Sequence, residues 1–161
     1  DGKRITTQEP GVVELKDGRL MLFSRTNGRS QFISYSGDGG DTWSPQRASN
    51  IISPVSPATI ERIPSTGDLL IAWNDHSKIT PRLQDKRTPF SVAISRDAGK
   101  SWSAAKTLAN DPNGWYCYTA MTFTDKHVLL GHSAGDRRKG GLNTAQITVF
   151  PMKWLYKTDE R

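Results

Sequence analysis

Ser36-Gly37-Asp38-Gly39-Gly40-Asp41-Thr42-Trp43 returns 59 positions later as Ser95-Arg96-Asp97-Ala98-Gly99-Lys100-Ser101-Trp102. The shared pattern is Ser-x-Asp-x-Gly-x-Thr/Ser-Trp, and each fixed position has a physical task. The short carboxylate of Asp38 or Asp97 accepts N–H bonds inside its own turn. Gly40 or Gly99 takes a backbone conformation closed to other residues, and Trp43 or Trp102 supplies a large apolar plug. Such a segment reads as a β-hairpin turn fastened to the sheet beneath it, so Ser36, Asp38, Gly40 and Trp43, with Ser95, Asp97, Gly99 and Trp102, are assigned structural roles. Two copies with similar flanks mark a repeat, which reports on architecture and not on chemistry.

Around both copies, apolar and polar residues alternate in short runs divided by Gly, Asp, Asn and Pro, and no segment keeps a helical period; this predicts an all-β chain. The first unit, about residues 9–50, pairs Val12-Val13-Glu14-Leu15 with Leu20-Met21-Leu22-Phe23 and runs through Gln31-Phe32-Ile33-Ser34-Tyr35 into the first box. The second, about 55–110, pairs the stretch from Ala58 to Ile63 with Leu69-Leu70-Ile71-Ala72-Trp73 and runs through Phe90-Ser91-Val92-Ala93-Ile94 into the second box. A third, about 114–156, pairs Thr119-Ala120-Met121-Thr122-Phe123 with His127-Val128-Leu129-Leu130 and closes on the run from Ala145 to Phe150, with no box and a degenerate last hairpin. Trp73 and Trp154 read as core or inter-sheet packing.

The 161 residues suffice for one sizeable core. Mean hydropathy is −0.59, and no run approaches the roughly 20 apolar residues of a membrane span. The chain carries a net charge of +6, but its basic residues are scattered, Arg137-Arg138-Lys139 being the exception. Nucleic acid is therefore not expected as a partner, since its footprint clusters on one element; an anionic small molecule suits the balance. The single cysteine, Cys117, excludes an internal disulfide framework and reads as a buried hydrophobe. His76, His127 and His132 lack metal-ligand spacing, so neither metal nor cofactor is expected. The chain opens Asp1-Gly2-Lys3-Arg4 without the apolar region of a signal peptide; a secreted or periplasmic location is the favoured expectation.

The eight-residue pattern is the Asp-box, and with its flanks the chain resembles the C-terminal half of a sialidase over about Glu9 to Leu155. A Glu that opens a strand of the form Glu-x-x-Val-Val-Glu-Leu-x-Asp-Gly, followed on the next strand by an Arg, is matched by Glu9 and Arg25. A further Arg about eight residues before an Asp-box is matched by Arg87. A Tyr followed by Ser/Thr-x-Leu/Met is matched by Tyr118-Thr119-Ala120-Met121. Tyr116 lies two residues earlier and by period two on the same strand face; the residues that follow favour Tyr118. The resemblance implies a β-propeller of which about three four-stranded blades of an expected six are present. Further blades, or another copy, would complete the ring.

The same resemblance implies a retaining glycoside hydrolase with Tyr118 as nucleophile and Glu9 as its base, Arg25 and Arg87 holding the carboxylate of an anionic glycan. These residue types suit such a substrate. A sialoside carries a carboxylate beside the anomeric carbon, so a neutral phenol avoids the repulsion an Asp or Glu nucleophile would meet; sialidases stand among the exceptions to two-carboxylate glycosidases for this reason. A free phenol, with a pKa near ~10, needs a base to become nucleophilic at neutral pH. Arginine offers a planar fork matched to a carboxylate. The family's third Arg and its Asp general acid find no matching motif before Glu9, so the chain by itself is expected not to turn over a sialoside. Rival readings are an enzyme for another acidic or deoxy sugar on the same scaffold, and a glycan-binding propeller without turnover.

Overall fold

The computed structural model describes residues 4–157. Among the described residues, eleven strands form three antiparallel sheets, joined by two 3-10 turns and followed by one short α-helix. The first contains β1 (Thr7–Glu14), β2 (Leu20–Thr26), β3 (Ser30–Ser36) and β4 (Arg47–Ile52). The second contains β5 (Thr59–Arg62), β6 (Leu69–Asn74), β7 (Phe90–Ser95) and β8 (Lys106–Ala109). The third contains β9 (Gly114–Phe123), β10 (His127–Asp136) and β11 (Ala145–Pro151), and the chain then enters the helical turn α1 (Met152–Leu155). Strands neighbour one another in chain order throughout. Among the described residues the third sheet thus has three strands where the others have four.

The sheets stack face to face, and the sequence shows which one is central. β6 reads Leu-Leu-Ile-Ala-Trp-Asn and β7 Phe-Ser-Val-Ala-Ile-Ser, with every residue of both strands buried. A strand covered on both faces loses the polar alternation that a half-exposed one keeps. One core joins Val13, Leu15, Met21 and Phe23 of the first sheet to Ile60, Ile71, Trp73 and Ala93 of the second. The other joins Leu70, Val92 and Phe90 to Tyr116, Val128, Leu130 and Phe150 of the third. Trp73 lies in the first core and Trp154 packs against the second, in edge contact with Phe150. The first strands of the three sheets lie side by side, β5 touching both β1 and β9. Arg62 of β5 reaches Glu14 of β1 at 3.7 Å, and the Thr59 hydroxyl donates to the Thr119 carbonyl at 2.6 Å.

Both Asp-boxes close on themselves. The Ser36 hydroxyl donates to Asp38 at 2.7 Å and accepts from the Gly40 N–H at 2.9 Å, while the Thr42 N–H donates to Asp38 at 3.0 Å. Ser95, Asp97, Gly99 and Ser101 repeat the arrangement at 2.8, 2.9 and 2.8 Å. Gly40 and Gly99 have φ of 104° and 82°, which explains the glycine. The tryptophans differ. Trp102 packs against the core between the first two sheets. Trp43 instead folds back on its own turn, its indole N–H donating to the Gly40 carbonyl at 2.9 Å, and stays 36% exposed. The plug expected of both indoles is formed by Trp102, which has a neighbouring sheet to plug.

Candidate active site

The inner strands β1 and β9 each carry one bulge. On β1, Gln8 faces Arg25 and Gly11 faces Phe23, so Glu9 and Pro10 together oppose Ser24. On β9, Cys117 faces Ser133 and Ala120 faces Gly131, so Tyr118 and Thr119 together oppose His132. Glu9 has φ of 50° and Tyr118 φ of 54°, left-handed values that a side chain adopts at a cost. The local kinks aim the two side chains at each other: the Tyr118 hydroxyl lies 3.5 Å from Glu9 Oε1. That is the outer limit of a hydrogen bond, a separation that catalytic pairs often show without ligand.

The bulge also separates the two candidate tyrosines. Period two places Tyr116 and Tyr118 on one face, but the extra residue and the positive φ turn the strand between them. Tyr116 is buried in the second core, stacked on Phe90 with ring centres 6.0 Å apart. Tyr118 is 48% exposed. The shared face expected from the sequence is therefore corrected.

Two guanidinium groups flank the pair. Arg25 Nη1 lies 3.1 Å from Glu9 Oε2, and its Nη2 donates to Gln8 Oε1 at 3.0 Å, leaving the buried Nε unpartnered. Gly11 is needed nearby because the Phe23 ring crosses its Cα, where an added Cβ would stand 2.3 Å from Phe23 Cζ. Arg87 stands over the Tyr118 ring at 5.3 Å and over Trp115 at 4.9 Å. Its Nη1 is buried without a partner, an unsatisfied donor of the kind a carboxylate would satisfy. Glu9, Arg25, Arg87 and Tyr118 thus form one cluster, built from the first strands and adjoining elements of three sheets.

Several supporting residues gave no readable signal in the sequence. His76 is buried, and its Nε2 lies 3.0 Å from the Lys86 carbonyl and 3.1 Å from the Thr88 carbonyl, on either side of Arg87. Facing two acceptors, that nitrogen must carry the proton. Burial pushes the imidazole below its ordinary pKa. His132, opposite the Tyr118 bulge, is buried against Phe90, with Nε2 2.9 Å from the Thr148 hydroxyl. Asp136 turns away to bond Arg138. Cys117 is buried beside the cluster, and burial raises its thiol pKa. Among the described residues no three His, Cys, Asp or Glu side chains gather as a metal site.

A strand-ordered stack of sheets closed by Asp-boxes, with an acid, a phenol and two arginines at its inner edge, defines part of a β-propeller of the sialidase type. The chain belongs to the BNR repeat-like domain family, whose sequence profile matches residues 3–130. A sialidase from Bacteroides fragilis (strain YCH46) is 29% identical over an alignment of 134 residues that covers 78% of this chain and 24% of that protein. The fold is similar to that of the intramolecular trans-sialidase of Ruminococcus gnavus solved with oseltamivir carboxylate, with a TM-score of 0.71 at 19% identity over 95% of this chain and 34% of that one. It is also similar to that of an α-L-arabinanase from Penicillium chrysogenum solved with arabinobiose, with a TM-score of 0.57 at 17% identity over 90% of this chain and 49% of that one. The chain therefore spans about a quarter of the curated relative's length and a third to a half of these two structures.

Proposed function

We propose that these residues form the nucleophile-bearing part of a retaining exo-sialidase site. The observation that carries the reading is the meeting of Glu9 and Tyr118 at 3.5 Å beneath two guanidinium groups. In this reading Glu9 takes the phenolic proton as Tyr118 Oη bonds to the anomeric carbon and the glycosidic C–O bond breaks, its electron pair leaving with the aglycone oxygen. The aglycone oxygen takes a proton from solvent; water later attacks the same carbon, giving a proton back to solvent, and releases the sugar as Glu9 returns the phenolic proton to Tyr118 Oη, so two inversions give net retention. Arg25 and Arg87 receive the sugar carboxylate. Arg25 enters that role already engaged by Glu9, so the ion pair also orients the base.

The likeness to an arabinanase keeps a second reading in view, an enzyme for another sugar on the same scaffold. The two arginines separate a carboxylate-bearing sugar from a neutral one, which has no use for them. Calorimetric titration with an unsaturated sialic-acid analogue tests this directly. The sialidase reading expects binding that Arg25→Ala and Arg87→Ala each weaken at least about tenfold, the value of one charge-assisted hydrogen-bond pair. Binding that ignores both substitutions, or no binding at all, would remove the carboxylate from the proposal.

A further inference from the structure

The loop after β10 is built with unusual closeness. The Asp136 N–H donates to Asn143 Oδ1 at 3.0 Å, the Gly141 N–H donates to the Asp136 carbonyl at 3.0 Å, and the Asp136 carboxylate holds the N–H of Arg138 at 2.9 Å. Gly135 leaves no room for a side chain, since a Cβ there would stand 1.5 Å from the Gly141 carbonyl oxygen. Gly141, at φ of 79°, rests against the Trp115 ring, where a Cβ would stand 2.8 Å from the indole. These contacts seat the loop on Trp115 and bring the Arg137 guanidinium to 4.8 Å from the centre of that ring. Arg87 lies 4.9 Å from the same centre.

Two cations therefore share one indole. Arg138, the next residue, is neutralised by Asp136 at 2.7 Å. Arg137 and Arg87 make no ion pair among the described residues, and both are partly buried. Like charges held this near each other raise the local positive potential, which an anion relieves. Arg87 is already assigned to the sugar carboxylate, so the charge left over belongs to Arg137.

We propose that Arg137, seated on Trp115, binds a second anionic group carried by the same ligand. The group is a carboxylate or sulfate on the sugar next to the one held by Arg25 and Arg87. The indole, in contact with both guanidinium groups, serves as a spacer between the two anion sites. This specificity site rests on the sialidase reading above and adds to it a preference for glycans with adjacent acidic residues. It also gives the basic run at 137–139 a purpose, with Arg137 as the residue that recognises ligand.

The test compares calorimetric affinities for three probes: a methyl sialoside, an α2,8-linked disialic acid, and a sialyl-galactoside sulfated on galactose. The protein is expected to bind at least one dianionic probe about tenfold more tightly than the methyl sialoside, as one added charge-assisted contact implies. Whichever probe gains identifies carboxylate or sulfate as the second group. Arg137→Gln, which keeps the stem but loses the charge, should abolish that preference while changing methyl sialoside affinity less than twofold. Arg137→Lys should restore part of it. Equal affinities for all three probes overturn the proposal, as does an Arg137→Gln loss shared equally by mono- and dianionic probes. In either case the sialidase reading survives if methyl sialoside binding still depends on Arg87. Failure of every probe to bind, with Arg87→Ala silent, overturns both.

Discussion

Glu9 and Tyr118, 109 positions apart, meet at 3.5 Å from matching backbone bulges, with φ of 50° and 54°. Neither value is one a strand residue adopts without cause. Each bulge inserts a residue into the inner strand at the point where one of these side chains leaves the pleat and faces the other. Backbone strain of this kind, persisting only where the surroundings hold it, gathers at functional positions. Its measurable consequence reverses an ordinary preference. Inside a regular strand glycine is less stable than alanine by roughly 0.5–1 kcal/mol. At position 118, Tyr118→Gly should instead exceed Tyr118→Ala in stability by about 1 kcal/mol. Urea denaturation of the two variants checks this, and the usual order would show that the left-handed conformation is not a constraint.

His76 holds Arg87 in place through the two carbonyls that flank it. His76→Phe keeps the ring volume and removes the donor, leaving the Lys86 and Thr88 carbonyls without it. The variant should weaken binding of a carboxylate-bearing sugar about fivefold, the worth of one lost hydrogen bond of ~1 kcal/mol. His76→Gln, which offers an amide N–H, should recover part of the loss. In an Arg87→Ala background the His76→Phe effect should vanish, which a general loss of fold would not do.

Two glycines of β10 should respond oppositely to alanine. Gly131 has no atom within 4 Å of an added Cβ, whereas at Gly135 the Gly141 carbonyl stands 1.5 Å away. Gly131→Ala should therefore be neutral or stabilising by about 0.5 kcal/mol. Gly135→Ala should cost about 1–3 kcal/mol and loosen the Arg137 loop. Thermal unfolding of both variants checks the contrast.

The Asp-box carboxylates predict an acid limb of stability. The Ser101 hydroxyl and N–H hold Asp97 down at about 2, and Thr42 holds Asp38 below the usual carboxylate range in the same manner. A depressed folded-state pKa gives stability that is complete above the unfolded value of about 3.9 and is lost as pH falls through the folded one. These carboxylates should accordingly leave the melting temperature unchanged between about pH 7 and 5, where buried His76, with its lowered pKa, supplies a separate decline, and should make it fall between about pH 4 and 2. Asp97→Asn should flatten that fall while lowering the plateau. An unchanged acid limb in both Asp38→Asn and Asp97→Asn would place the acid sensitivity elsewhere.

The architecture was legible because it rests on local chemistry. Each Asp-box satisfies itself within eight residues, and the strands around the boxes show as short apolar runs divided by turn residues. The site was legible in part. The contexts of Glu9, Arg25, Arg87 and Tyr118 identify candidates, but nothing in the run from Gly114 to Met121 reveals a bulge. The period-two rule consequently placed Tyr116 beside Tyr118, where the structure buries one and exposes the other. His76 and the Trp115–Arg137 contact were hidden for a different reason. Both depend on loops whose path is set by distant packing, and neither has a sequence spacing that would announce it.

The central claim is that Tyr118 is a nucleophile served by Glu9, and covalent trapping measures it most directly. A 2,3-difluoro sialic acid carries fluoride at the anomeric carbon, a leaving group that departs without help from a general acid. Tyr118 Oη would bond to that carbon as C–F breaks, with the phenolic proton passing to Glu9. Intact-mass analysis followed by peptide mapping should find one sugar on Tyr118, absent in Tyr118→Phe and slowed by about 10²–10⁴ in Glu9→Gln. An adduct on another residue, or none in a protein that still binds the sugar through Arg25 and Arg87, would contradict the account.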